Sequence, residues 1–392
     1  MNGQTCLHDQ VYRYLQQGSE FVDKRHLQVL SWIVSALLGC QRLNPSAWEP
    51  YVNSRAEKAQ SYQRRWSRFF HNSRVLASRI YAPLVMAAIS VWQSERLYLA
   101  IDTTLLWEEY CLVTISVVCA GRAVLFDWIA LKHRSASVEF SVYQPLLERT
   151  RHRLDKFTHV TLLADRGFAN HDLVGWLKDS HWHWYIRVPG DTTIHYRQRR
   201  RSLSREVRQL YPPKGEARFY RQVKLWVDGE LNCHLALARL RGVKEAWAVI
   251  TDEPPSLETF WRYGLRFRTE ELYLDSKSGV FELERSKIRN SAQLERLYLG
   301  AAIAILFATL TGMTLQKQGL RQQVDPHWKR GLSYLKMGLR WLAGVLHKGR
   351  PLLALSELLL HDPARCFASR RAKEEFFNQF FFSRVRTVSS SA

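Results

Sequence analysis

The chain reads as a mixed α/β protein whose core is interrupted by a strand-rich segment and flanked by helical regions. Three observations carry this reading. From Arg96 onward the apolar pattern takes on a strand character, with β-rich runs at 97–102, 110–119 and 123–131 separated by Glu-Glu and Ala-Gly-Arg turns. Helix and strand then alternate: a helix at about 139–156, a strand at 159–165, a helix at 170–179 and a strand at 182–188. Residues 190–255 break the alternation with a dense basic run at 197–205, followed by β-type segments at 219–227, 232–240 and 246–251.

Three antiparallel strands followed by helix–strand–helix–strand is the order of an RNase H-like fold, in which carboxylates gather at strand ends. The sequence therefore divides into a helical N-terminal region (1–92), the first part of the RNase H-like core (93–189), a β-strand-rich insertion (190–255), a helical second part of the core (256–316), and a basic helical C-terminal region with a disordered tail (317–392). Within the first region, 26–39 has helical apolar spacing and a Gly stop. The helix expected at 56–70 ends in Gln63-Arg64-Arg65-Trp66-Ser67-Arg68-Phe69-Phe70. Arg64, Arg65 and Arg68 interleaved with aromatics suit a helix packing on one face and meeting phosphates on the other, although a solvated basic face has the same pattern. Helices are further expected at 258–277 and 291–315.

Lys plus Arg number 57 against 36 Asp plus Glu in 392 residues, a formal charge of +21. An excess of this size points to polyanions, nucleic acid above all. The 6 Cys are scattered without a CxxC and without His at ligand spacing, which disfavours zinc or a disulfide framework and fits a reducing, cytoplasmic interior. The opening MNGQTCLHDQ has no signal-peptide pattern. Residues 297–316 are uncharged and long enough to span a bilayer. They contain Gly300, Thr309, Thr311 and Gly312 and continue a charged helical pattern, so a buried core helix is expected and no membrane partner.

Asp102, in Ala100-Ile101-Asp102-Thr103-Thr104, and Asp165, in Leu163-Ala164-Asp165-Arg166-Gly167-Phe168, each close an apolar strand. Carboxylates held at a sheet edge can bind hard cations, although a strand-end Asp is also a common turn or cap residue. Downstream, Tyr263, Arg266, Glu270 and Lys277 fall within about 60° of one another at about 100° per helical residue. One stripe then offers a carboxylate for a metal, two cations for phosphate oxygens and a phenol donor. A solvated amphipathic face with ordinary ion pairs is the plainer alternative. Glu271 lies off this stripe and receives no role.

Y-x2-R-x3-E-x6-K, complete at these four positions, resembles the signature of the insertion-sequence-four branch of bacterial DDE transposases. The blocks around Asp102 and Asp165 resemble that family's first and second aspartate blocks in the same order. Tyr185-Ile186-Arg187 resembles the strand that follows, and Trp247-Ala-Val-Ile-Thr251-Asp-Glu253-Pro254 resembles its insertion segment. The resemblance covers roughly 20–315.

It implies a DNA transposase that binds terminal inverted repeats and performs cut-and-paste cleavage and strand transfer, with a possible hairpin intermediate. Asp102, Asp165 and Glu270 would bind two Mg²⁺, with Mn²⁺ substituting. Tyr263, Arg266 and Lys277 would hold phosphates, and Trp247 would stack on a flipped base, unless it is a core residue. Arg199, Arg200 and Arg201 join Arg64, Arg65 and Arg68 as expected duplex contacts. The partners would be double-stranded DNA and a second copy of the chain, with no small-molecule cofactor. An inactive domesticated DNA-binding relative and an RNase H-like nuclease or resolvase are the alternatives. The first gains nothing from clustered carboxylates, and the second has no need of the Tyr-Arg-Lys stripe.

Overall fold

The computed structural model describes residues 3–389 except 20, 22, 53, 55, 199–200, 227–230, 242–243, 275, 277–279, 287, 328–330, 362–368, 372–373 and 375–381. Helices α1 (Gly3–Gly18), α2 (Lys24–Cys40), α3 (Ala59–His71) and α4 (Ala77–Ala88) come first. Their apolar faces are buried; in α3 Tyr62, Trp66, Phe69 and Phe70 turn inward while Arg64 and Arg68 stay exposed. Strands β1 (Arg96–Leu106), β2 (Tyr110–Cys119) and β3 (Arg122–Leu131) form an antiparallel meander. All ten residues of β2, Thr114 and Ser116 among them, are buried, as in a strand covered on both faces. After α5 (Phe140–Arg153), β4 (His159–Ala164) pairs parallel with β1; after α6 (His171–Asp179), β5 (His183–Arg187) pairs parallel with β4. The strand order is thus β3-β2-β1-β4-β5.

The sheet does not stop there. In residues 190–255 lie β6 (Thr193–Gln198), β7 (Arg201–Glu206), β8 (Glu216–Leu225), β9 (Leu231–Ala238) and β10 (Trp247–Thr251). β10 adds antiparallel to β5, and the order continues β9-β8-β6-β7. The strand-rich segment extends the central sheet edge to edge. The described residues of its basic run fall on β6 and β7, which pair antiparallel, with Arg197, Arg201 and Arg205 exposed.

The single long helix expected from 258 is broken into α7 (Leu257–Gly264), a 3-10 turn at Leu265–Phe267, and α8 (Arg268–Tyr273). α9 (Ser291–Lys317) is long and apolar enough to cross a membrane, but its apolar window is wholly buried within the protein, packed by α2, α3, α4, β3 and α10 (Tyr334–Lys348). The expected core helix is therefore present. Backbone-to-backbone contact between α9 and α10 depends on two glycines. A Cβ on Gly312 would stand 1.9 Å from the Tyr334 carbonyl oxygen, and one on Gly338 would stand 1.8 Å from that of Ala308. Gly338→Ala must push the helices apart and is expected to cost about 1–3 kcal/mol or more. An unchanged thermal midpoint would contradict this packing.

The C-terminal region is not uniformly helical among its described residues. α10 ends on Gly349 in the left-handed conformation (φ 64°), and Pro351 follows. The next stretch, 350–360, is neither helix nor strand. Other segments satisfy several of its backbone groups: Leu358 N–H donates to Ala88, Ala120 N–H donates to Leu359, and Gln10 donates to the Leu353 carbonyl. β11 (Arg384–Ser389) then pairs parallel with β8. Basic and aromatic composition suggested helix there, but composition carries no period.

Candidate active site

Register brings the two aspartates together. The last parallel pair between β1 and β4 is Ile101↔Ala164, so the next residue on each strand is Asp102 and Asp165. Adjacent strands are about 4.8 Å apart. Asp102 does not close its strand, as the sequence reading had it: β1 runs on to Leu106, paired only with β2. It is the β1–β4 pairing that ends there, at the carboxyl end of that parallel pair.

The α7–α8 segment packs over the two aspartates. Arg266 Nη1 lies 2.9 Å from Asp102 Oδ2, and its Nη2 lies 3.5 Å from Glu270 Oε1. The Tyr263 hydroxyl donates to Asp165 Oδ1 at 3.4 Å. Thr269 Oγ1, which the sequence reading passed over, donates to Asp102 Oδ2 at 3.1 Å and approaches the Arg266 carbonyl at 2.8 Å. The 3-10 turn rotates these residues away from straight-helix positions. Arg266 points inward, with its side chain 7% exposed, whereas Glu270 is 61% exposed at the rim. Nothing in residue spacing signals that break. Lys277, Arg199 and Arg200 fall outside the described residues.

Burial pushes the Asp102 carboxyl above the usual range, against the Arg266 guanidinium, the Thr103 amide and the Thr269 hydroxyl, which favour its charge. Burial likewise pushes the Tyr263 phenol up to about 12, with Arg266 opposing. Tyr263 is thus a neutral donor at ordinary pH. Glu271, given no role, lies 3.7 Å from Arg122.

Trp247 is packed in the interior next to Tyr263. It is only 6% exposed, its ring edge-to-face with Tyr263 at 5.3 Å and tilted against Phe267 at 5.6 Å and Phe260 at 6.4 Å. This packing is the core-residue alternative for Trp247: the indole sits against Tyr263, Phe267 and Phe260 and seats Tyr263. Its strand, β10, pairs with β5 and β9, and its side chain is taken up by packing because α7, with Phe260 and Tyr263, lies over that face.

Arg262 ties α7 to the sheet. The Glu253 carboxylate accepts from Arg96 at 2.7 and 2.8 Å, from Tyr185 Oη at 2.5 Å and from Arg262 at 2.8 Å. Burial would raise its pKa, but the hydrogen bonds from Arg96 and Tyr185 outweigh burial and hold the carboxyl down to about 2. A carboxylate depressed in the fold stabilises above the unfolded-chain value of 4.5, and that contribution is lost as pH falls toward 2. Glu253→Gln should therefore lower the thermal midpoint at neutral pH and flatten its decline between pH 4.5 and 2. Parallel melting curves for the two proteins over that window would contradict the network.

Elsewhere, a cleft of about 780 Å³ between α2 and α3 is lined by Arg25, His26, Trp32, Arg64, Arg65 and Arg68. The Arg65 guanidinium stacks over the Trp32 ring at 4.6 Å and donates to Ser54 Oγ.

Residues 129–307, a little under half of the chain, match the protein family described as "Transposase DDE domain". The matched stretch includes Asp165, Trp247, Tyr263, Arg266 and Glu270 and begins after Asp102. Among solved structures, the chain is similar to one described as a piggyBac transposase synaptic complex with hairpin DNA, at 10% identity and a TM-score of 0.41, over 92% of this chain and 77% of that one. The comparison with curated proteins finds no match.

Asp102, Asp165 and Glu270 supply only oxygen donors, which suit Mg²⁺ or Mn²⁺ by chemistry. By spacing they do not fit as placed: among the described residues no three His, Cys, Asp or Glu side chains are grouped closely enough to hold an ion.

Proposed function

We propose that this chain is a DNA transposase of the DDE type, built on an RNase H-like core, that binds the ends of an insertion sequence, cleaves there and joins the freed 3′-hydroxyl to target DNA. The observation that carries the proposal is the register that sets Asp102 beside Asp165 under Arg266, Tyr263 and Glu270. The match to a transposase DDE domain supports it. In this reading Arg266 and Tyr263 hold phosphate oxygens, Thr269 fixes the Asp102 carboxylate, and the Trp247 floor keeps Tyr263 oriented. Lys277 joins Arg266 by the sequence pattern alone. Arg64, Arg65 and Arg68 on α3, and Arg201 with its neighbours on β6 and β7, contact duplex backbone; two copies act together on two ends.

The metal requirement is tested with DNA taken from the gene's own flanks. Cleavage is expected with Mg²⁺ or Mn²⁺ and lost in chelator, whereas Ca²⁺ supports binding without cleavage, because its looser coordination positions reacting oxygens poorly. Full cleavage in chelator would sink the proposal. A non-catalytic DNA-binding relative is the second reading, favoured by one observation: Arg266 already neutralises Asp102.

A further inference from the structure

A concave basic surface lies outside the carboxylate site, in the cleft between α2 and α3. Its volume of about 780 Å³ is that of a site enclosing a small ligand, about 300–1,000 Å³. Arg25, Arg64, Arg65, Arg68 and Arg74 line it against one carboxylate, Asp23, which Arg25 takes up. Among the described residues Arg64, Arg65, Arg68 and Arg74 form no ion pair. Uncompensated positive charge in a concave wall attracts a polyanion. The Arg65 guanidinium lies 4.6 Å over the Trp32 ring and 5.8 Å from the Tyr62 ring, and its Nη1 donates to Ser54 Oγ at 3.1 Å. Stacking and one hydrogen bond fix the plane of this group, yet leave most of its N–H donors unused. Arg65 and Trp32 are half-buried, whereas Arg64, Arg68 and Arg74 stand exposed. A hydrogen bond of 2.7 Å between Asn72 and His26 joins the two walls. Helices in contact have axes about 8–10 Å apart, so the notch between them admits one strand and not a double helix, whose major groove alone is about 12 Å wide.

We propose that the α2–α3 cleft seats an unpaired nucleotide at a DNA end, its base stacked on the Arg65–Trp32 pair and its flanking phosphates on Arg64, Arg68 and Arg74. The proposal rests on the transposase reading for the identity of the polymer, and it refines the part Arg65 plays there. Arginine planes and aromatic rings stack unpaired bases, and cations beside them take the phosphates. A paired base keeps its faces against its neighbours in the duplex and has none to give Arg65. The cleft therefore distinguishes a frayed or overhanging end from continuous duplex. Stacking is indifferent to base identity, so the preference is for the unpaired state and not for a sequence.

The test is equilibrium binding of the full-length protein, by fluorescence anisotropy, to one labelled duplex in three forms: blunt, with a short single-stranded overhang, and with the same overhang lacking its bases. The overhanging end should bind about tenfold more tightly than the blunt one, the scale of stacking a single base. The baseless overhang keeps its phosphates and should lose most of that gain. The gain should persist as rising salt weakens binding to all three. Arg65→Lys keeps the charge but not the plane, so it should erase most of the gain while binding blunt duplex nearly as the parent does. Thermal melting establishes that the variant folds, and the three ends compared on the parent decide the matter without it. Equal affinity for blunt and overhanging ends, an overhang bound as well without its bases, or a gain that survives in a folded Arg65→Lys protein overturns the proposal. If metal-dependent cleavage of end-bearing duplex persists in that case, only the cleft assignment fails. A protein that binds none of the three DNAs overturns the transposase reading with it.

Discussion

Glu270→Gln, Asp102→Asn and Asp165→Asn should each reduce strand cleavage by at least about a hundredfold, the scale on which removing one preorganised electrostatic group acts. Binding to end-bearing duplex should stay within a few-fold of the parent, because the basic residues proposed to contact the duplex are untouched. The three differ in stability, and that difference is informative. Glu270 is 61% exposed, so its amide should fold as well as the parent. Asp102→Asn leaves the buried Arg266 without its nearer carboxylate, so its thermal midpoint should fall as well. Single-turnover cleavage beside a melting curve separates the effects. A Glu270→Gln protein that cleaves within a few-fold of the parent removes Glu270 from the site.

Trp247→Ala should destabilise the fold by about 3–5 kcal/mol, the range for deleting a large buried aromatic. The loss includes the ring contacts with Phe260, Phe267 and Tyr263, and it leaves Tyr263 without its floor. Denaturant unfolding measures the first consequence. The second predicts that cleavage falls even at low temperature, where the variant is still folded, because the phenol no longer faces Asp165. If stability is unchanged and only a hairpin-forming step is lost, Trp247 is a base-stacking residue after all and the packing role assigned to it is wrong.

How far the sequence could be read followed from where its periods are strong. The meander was legible to within a residue or two at most ends because β2 and β3 are predominantly apolar and bounded by turn residues, and Asp102 and Asp165 stood out as carboxylates following apolar stretches of β1 and β4. Their adjacency was not legible, since it depends on the register of β1 on β4, two strands separated by more than fifty residues. The straight-helix stripe put Tyr263, Arg266, Glu270 and Lys277 on one face; Arg266 lies 3.5 Å from Glu270 and Tyr263 reaches Asp165, while Lys277 falls outside the described residues. It missed their division into an inward guanidinium and an outward carboxylate, which the 3-10 turn at Leu265–Phe267 produces through backbone geometry rather than residue type. Trp247 was ambiguous for a similar reason: a strand residue's burial depends on what lies over it, and here that is α7 with Phe260 and Tyr263. Thr269 has no sequence signature, because its role is a single hydroxyl placed by that same turn.

The central claim is that the carboxylates gathered at the β1–β4 edge join DNA strands. The most direct measurement supplies purified protein with duplex ends from the gene's own flanks, already nicked to expose the 3′-hydroxyl, together with a plasmid target and Mg²⁺. The expected result is a covalent joint between the labelled 3′ end and the plasmid, formed by the parent and by no Asp165→Asn protein. Ends bound but never joined, or joined equally well by Asp165→Asn, would contradict the account.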